Sequence, residues 1–179
     1  PEVYAGRLHF QMEGERGYGL PEEIATSRAV ERVRANYGTA FLPMAFPEGS
    51  PAHPSYPAGH ACMAGACVTV LKALFEETAV LPDPVVASDD GFRLLQWTGA
   101  PLTVGGELDK LANNIALGRD WAGVHYRSDG VDGLLVGEQQ AIGMLTDYSR
   151  TYHEIFDGFT LTTFGGTTIQ IVDGEVIKL

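Results

Sequence analysis

Five prolines fall between residues 39 and 58, at positions 43, 47, 51, 54 and 57, and directly after them the chain turns almost wholly apolar. Each proline fixes φ and removes a backbone N–H, so this stretch is not helical and forms an ordered, rigid loop. The next residues, 59–79, are rich in Ala, Val and Leu, and carry only Lys72, Glu76 and Glu77 as charges. That composition reads as one buried helix. A buried helix needs partners on all sides, so the chain must build a core around it. With 179 residues, 45% of them hydrophobic, the chain is long and apolar enough for one folded domain. No run approaches the ~18 apolar residues that span a bilayer.

The surrounding pattern supplies the partners. Residues 1–20 are Gly-rich and irregular, with mixed strand or loop character. Pro21-Glu22-Glu23 opens a helix, since Pro suits the first helical position and acids suit the positive end of the helix dipole. Ile24, Val30, Val33 and Tyr37 give it an apolar face, and Gly38 stops it. After a connection over 80–106, a second long helix runs over 107–123, with Leu108, Leu111, Ile115 and Ala122 on one side. A third runs over 131–153, with Leu134, Leu135, Ile142, Leu145 and Tyr148. The tail then changes period. Residues 159–162, 168–171 and 176–177 read as short strands, with turns at Gly165-Gly166 and Asp173-Gly174. The fold class is therefore mainly α: a helical bundle over residues 1–155, with a small β-hairpin appendage over 156–179 packed on it.

Twelve Lys and Arg against 23 Asp and Glu leave a net charge of −11. Such an acidic chain is unsuited to a nucleic-acid backbone or an anionic membrane. Cys62 and Cys67 are five apart on one helix, ~140° apart around its axis, which disfavours a disulfide between them. They read as two small buried hydrophobes, and they leave the compartment open.

Two segments carry chemistry. In His53-Pro54-Ser55-Tyr56-Pro57-Ala58-Gly59-His60 a proline-stiffened loop enters the start of the buried helix. Unpaired N–H groups and the helix dipole favour an anion there, and Gly59 removes a Cβ that would block its approach. His60 can exchange a proton with that anion. The second segment is Arg119-Asp120-Trp121-Ala122-Gly123-Val124-His125-Tyr126-Arg127-Ser128-Asp129. If the helix ends near Gly123, the loop swings His125 back toward the anion, and Arg119 forks onto its oxygens. Asp129 then holds the other nitrogen of His125. Trp121 and Tyr126 read as core or interface aromatics, and His9 and His153 receive no role.

Pro57-Ala58-Gly59-His60, with Arg119-x5-His125-x3-Asp129 further on, resembles the superfamily of type 2 phosphatidic acid phosphatases and vanadium-dependent haloperoxidases. The wider contexts, His53-Pro54-Ser55-Tyr56-Pro57, residues 70–74 and Gly123-Val124-His125-Tyr126-Arg127-Ser128-Asp129-Gly130, look like the bromoperoxidases of red algae and their bacterial relatives. The resemblance covers most of residues 40–150. It implies vanadate as cofactor, with His125 as the vanadium ligand. Arg119, Gly59 and position 58 would bind the vanadate oxygens. His60 would be the acid–base residue, and His53 a second active-site histidine. Hydrogen peroxide would oxidise bromide or iodide to hypohalous acid, which goes on to small organic acceptors, and the enzyme would be a homo-oligomer.

Two departures from the family pattern stand out. Ala58 occupies the place of a serine, which removes one hydroxyl bond to the anion, worth ~1.5–3 kcal/mol. The family's Lys-x7-Arg segment, with Pro next to it, is absent, and Pro1-Glu2 looks like the pair directly C-terminal to that Arg. The expectation is a C-terminal part whose two further cations lie upstream, on a longer or a separate chain. Two other readings share these residues. One is an acid phosphatase with His125 as nucleophile through a phosphohistidine; the other is an inactive, oligomer-forming piece.

Overall fold

The computed structural model describes residues 1–43 and 50–179. Pro47, within the proline-dense stretch, lies outside the described residues, and the flanking loop residues are non-helical as the prolines demand. The elements in chain order are α1 (Glu2–Met12), α2 (Glu22–Ala25), α3 (Arg28–Tyr37), α4 (Gly59–Leu74), β1 (Val85–Ala87), β2 (Leu94–Gln96), α5 (Val104–Trp121), α6 (Arg127–Ser149), β3 (Phe159–Thr162), β4 (Thr168–Val172) and β5 (Glu175–Lys178).

The bundle is centred on α4, which packs on α5 and, more intimately, on α6. Small residues make this possible. A Cβ on Gly65 of α4 would lie 2.3 Å from the Leu134 carbonyl oxygen of α6, and one on Gly137 of α6 would lie 2.0 Å from that of Cys62. Helix backbones that touch this closely leave room for nothing larger than hydrogen. Ala58, Ala61 and Ala116 fill one part of the seam, and Ala64, Val68 and Ala112 the next.

The tail is an antiparallel meander in the order β3-β4-β5. Its period of two places Phe159, Leu161, Ile169 and Ile171 on one face, with Phe159 opposite Ile171 and Leu161 opposite Ile169. These four close over Leu145 of α6 in a second core. Each such side chain contributes ~1.5–3 kcal/mol on full burial.

Four sequence expectations are corrected. Residues 2–12 are helical rather than irregular: the glycines that suggest a loop sit at 14, 17 and 19, beyond α1, while the helix itself contains only Gly6. The helix expected over 22–38 is two helices, because the Ser27 hydroxyl accepts the Val30 N–H at 3.4 Å and caps a fresh start. Gly38 does end it, in the left-handed conformation at φ 70°. The helix expected over 59–79 stops at Leu74, where Phe75 turns extended, and residues 80–106 contain the β1-β2 hairpin. Finally, Cys67 is exposed and Cys62 only half-buried; both are free thiols on α4, so the reading of two buried hydrophobes fails for Cys67.

Candidate functional site

The site forms where α4 and α6 begin and α5 ends. Ala58 sits at the N-cap of α4 with no side-chain cap. The first bond of this helix runs from the Cys62 N–H to the Ala58 carbonyl at 3.0 Å, so the amides of Gly59, His60 and Ala61 have no intrahelical acceptor. The place a Cβ would take on Gly59 is open, with no atom within 4 Å among the described residues. A small anion can therefore approach these amides.

α5 delivers Arg119 in its last turn. The chain then reverses at Gly123, whose φ of 78° a residue with a Cβ rarely adopts. The Gly123 N–H bonds the Asp120 carbonyl at 2.9 Å and that of Val124 the Arg119 carbonyl at 3.3 Å. This turn sends His125 inward, where it is 8% exposed. Its Nδ1 lies 3.3 Å from Oδ2 of Asp129, one turn on in α6.

Asp129 is itself 3% exposed and heavily hydrogen-bonded. Its Oδ2 accepts the Tyr126 N–H at 3.0 Å, and Ser128 Oγ stands 3.4 Å from Oδ1. Burial pushes its carboxyl up. The Tyr126 amide, the Ser55 hydroxyl and His125 outweigh that and hold it below the ordinary carboxylate range. An ionised Asp129 can only accept, so His125 donates Nδ1–H and keeps Nε2 as its basic nitrogen. The Asp129 carbonyl in turn accepts the Ala58 N–H at 3.0 Å, which ties the start of α4 to the start of α6.

His60 has a lowered pKa, first through partial desolvation and then through its electrostatic neighbours Arg119 and His125. Arg119 and His125 thus act on His60 across the α4–α5–α6 junction. His53 reaches His125 by another route. Both line a cavity of about 340 Å³, together with Ser55, Val124, Pro1 and the first two residues of α1, Glu2 and Val3. His53 Nδ1 contacts the Pro54 carbonyl at 2.8 Å. Gly59 and His60 instead line a neighbouring apolar groove with Met63, Ala64, Cys67 and Ile115.

Two groups escape a reading of the sequence. Ser55, from the proline-rich loop, helps to lower the Asp129 carboxyl and lines the cavity with His53 and His125. Asp120, half-buried beside His125, Asp129 and Arg127, has its carboxyl raised, chiefly by burial. Its Oδ1 is buried with no hydrogen-bond partner among the described residues. Nothing in their spacing marks either residue, since the contacts cross from one segment to another.

A family model of the VCPO second helical-bundle domain matches residues 22–154. A vanadium-dependent bromoperoxidase of Corallina pilulifera is 55% identical over 131 residues, covering 73% of this chain and 22% of the relative. One from Ascophyllum nodosum is 41% identical over 194 aligned positions, covering 100% of this chain and 33% of the relative. Among solved structures, the homohexameric second vanadate-dependent bromoperoxidase of Ascophyllum nodosum superimposes with a TM-score of 0.89 at 32% identity, covering 99% of this chain and 36% of that one. The chain thus spans about a fifth to a third of the length of the curated relatives it matches.

Proposed function

The chain belongs to the family of the VCPO second helical-bundle domain, among the vanadium-dependent haloperoxidases, and from that premise we propose that it carries the vanadate end of an enzyme that oxidises bromide or iodide with hydrogen peroxide. The observation that carries this reading is the buried His125–Asp129 pair, set beside the open amide end of α4.

The donor set fits an oxyanion. His125 Nε2 would bind vanadium, because Asp129 occupies Nδ1 and keeps the ring oriented. The Gly59 amide and the Arg119 guanidinium would hold vanadate oxygens, with Ala58 packed behind them. Vanadate, when bound, supplies a Lewis acid that activates hydrogen peroxide without changing its own oxidation state. His60, whose pKa is lowered, offers a neutral imidazole near pH 7 and can take a proton from an incoming peroxide. His53 stands on the cavity wall, where a halide or a small organic acceptor would arrive.

We also propose a homo-oligomer. Large apolar side chains remain exposed along the helices and the hairpin, among them Met63, Leu74, Phe75, Phe92 and Leu94, and the superimposed relative is a homohexamer. Among the described residues no helix is long and apolar enough to cross a membrane.

Bromination of a phenol dye in the presence of vanadate, bromide and peroxide tests the activity. Halogenation is expected, and its loss in His125→Ala. A protein that hydrolyses p-nitrophenyl phosphate but never halogenates the dye overturns the reading. Light scattering on the eluting protein tests assembly, with a multiple of 19.2 kDa expected.

A further inference from the structure

Residues 80–103 leave the bundle as a two-stranded arm. Its rungs start at the Val80–Thr103 bridge. They continue through the Leu81 N–H on the Leu102 carbonyl at 2.8 Å and the Trp97 N–H on the Pro84 carbonyl at 2.9 Å, and end in β1 and β2. The tip is closely hydrogen-bonded. The Ser88 N–H bonds the Arg93 carbonyl at 2.8 Å, Ser88 Oγ accepts the Arg93 N–H at 3.1 Å, and Asp90 Oδ1 accepts the Phe92 N–H at 3.1 Å. This turn holds Phe92 out at 90% exposure, and residues 89–101 are exposed throughout. The register puts Val86 and Leu95 on one face and Ala87 and Leu94 on the other, so both faces are apolar. Strands with that pattern are buried on both sides, and a lone hairpin is only marginally stable in water. The chain itself supplies no cover, since β1 and β2 pack chiefly on each other. It does carry a groove of matching character elsewhere. Ala66, Cys67, Val70 and Leu71 of α4, with Ala141 and Met144 of α6, line a space of about 690 Å³ that has no charged residue on its walls.

We propose that this hairpin is an assembly arm, seated in the α4–α6 groove of a second copy of the chain. The proposal rests on the homo-oligomer reading above and names its interface. Charge selects the occupant. Two copies at −11 each repel wherever their acidic surfaces meet, but β1, β2 and the groove walls hold no Asp, Glu, Lys or Arg. A second copy can therefore close on these surfaces without bringing like charges together. Area agrees. Val85, Val86, Phe92, Leu94, Leu95 and Trp97 are all exposed. Together they offer on the order of 500 Å², against the ~450 Å² of apolar surface that each partner contributes to an interface of standard size. Phe92, at the tip, is the anchor: a large aromatic presented by a hydrogen-bonded turn loses little freedom on docking.

The test uses the full chain and the thiol already in the groove, since Cys67 is free and exposed. Leu94→Cys places a second thiol on the arm. Mild oxidation with copper–phenanthroline is expected to link copies of Leu94→Cys into multimers on a non-reducing gel, and the links are expected to vanish in Leu94→Cys/Cys67→Ser. Links that survive Cys67→Ser overturn the seat in the groove. Light scattering across a dilution series then reads the anchor, with far-UV circular dichroism confirming the fold. Phe92→Glu is expected to raise the concentration of half-dissociation at least about 30-fold, the scale of a buried aromatic anchor. If wild type and Phe92→Glu keep the same oligomer mass and Leu94→Cys links nothing, the homo-oligomer stands and the arm falls. If the wild type stays at 19.2 kDa at every concentration, the homo-oligomer reading falls and takes the arm with it.

Discussion

Ala58 is fully buried at the start of α4, and its methyl group gives that helix no side-chain cap. A serine there has two uses for its hydroxyl: the orphan amides of the first turn, or an oxyanion lying on them. Ala58→Ser is therefore expected to stabilise the free protein by about 0.5–2 kcal/mol through the cap. It should also tighten orthovanadate binding by roughly tenfold or more, the equivalent of a charge-assisted bond of ~1.5–3 kcal/mol. Thermal melting and equilibrium dialysis separate the two effects, and unchanged binding would show that the hydroxyl never reaches the anion. His60 gives a second check at this scale. Desolvation, Arg119 and His125 all disfavour its charged form, so its proton NMR titration should have a midpoint below the ordinary histidine value of 6.5. A bound oxyanion should move that midpoint up by offsetting the neighbouring positive charge, and a midpoint unmoved by vanadate would place the anion elsewhere. The contact between His125 and Asp129 was legible in the sequence because it is local: Gly123 permits the reversal, and i,i+4 spacing puts the partner one turn away. Ser55 and Asp120 were not legible, because their meaning comes from a segment more than 60 residues distant or from a turn that burial alone explains.

At the scale of elements, the α4–α6 seam and the joint between bundle and tail carry the structure in different ways. The seam depends on the absence of side chains. Gly137→Ala would drive a Cβ to 2.0 Å from the Cys62 carbonyl oxygen, so a loss of at least ~1–3 kcal/mol is expected, seen as a drop of ~2–4 °C in Tm per kcal/mol. Gly143, on the same helix with open space around it, is the control: alanine there should be neutral or stabilising. The joint depends instead on buried charge. Lys72 of α4 is 2% exposed, bonds Asp109 of α5 at 2.9 Å, lies 3.9 Å from Glu77 and stands over the Phe164 ring at 5.4 Å. Glu77 holds Thr162 of β3 at 2.5 Å, and Glu138 of α6 accepts the Phe164 N–H at 2.6 Å. Lys72→Met would leave these acids without their cation, so urea denaturation should show a loss of about 3–5 kcal/mol. An unchanged midpoint would mean that the cation is dispensable. The helices and strands themselves were readable from period and turn residues. Their ends were less so, and this joint not at all. Residues 72, 77, 109, 138 and 162 are scattered along the chain, and a lone Lys in an apolar helix announces no partner. α1 was missed for the opposite reason, since glycines beyond its end dominated the local composition.

For the whole molecule, a net charge of −11 coexists with a pocket where Arg119 and His125 both disfavour a charge on His60. Total charge and local charge are separate quantities, and the pH dependence of stability tracks the local ones. Two groups favour the fold away from acid. His60 has a folded pKa below its ordinary value, so stability falls as pH drops through about 6.5. Asp129 is likewise held low: its contribution is present above the unfolded carboxylate value and is lost as pH falls through its folded one. Glu138 opposes them. Burial raises its carboxyl, against the pull of the Phe164 amide and Lys72, so its contribution is whole below the ordinary glutamate value and fades as pH rises through its higher folded value. Glu138→Gln keeps an acceptor for the Phe164 N–H but cannot ionise. Tm measured from pH 4 to 8 should therefore decline less with rising pH in Glu138→Gln than in the wild type, with the two curves converging toward the acid end. Parallel curves would show that Glu138 titrates as it does in the unfolded chain, and that the buried joint tolerates its charge without cost.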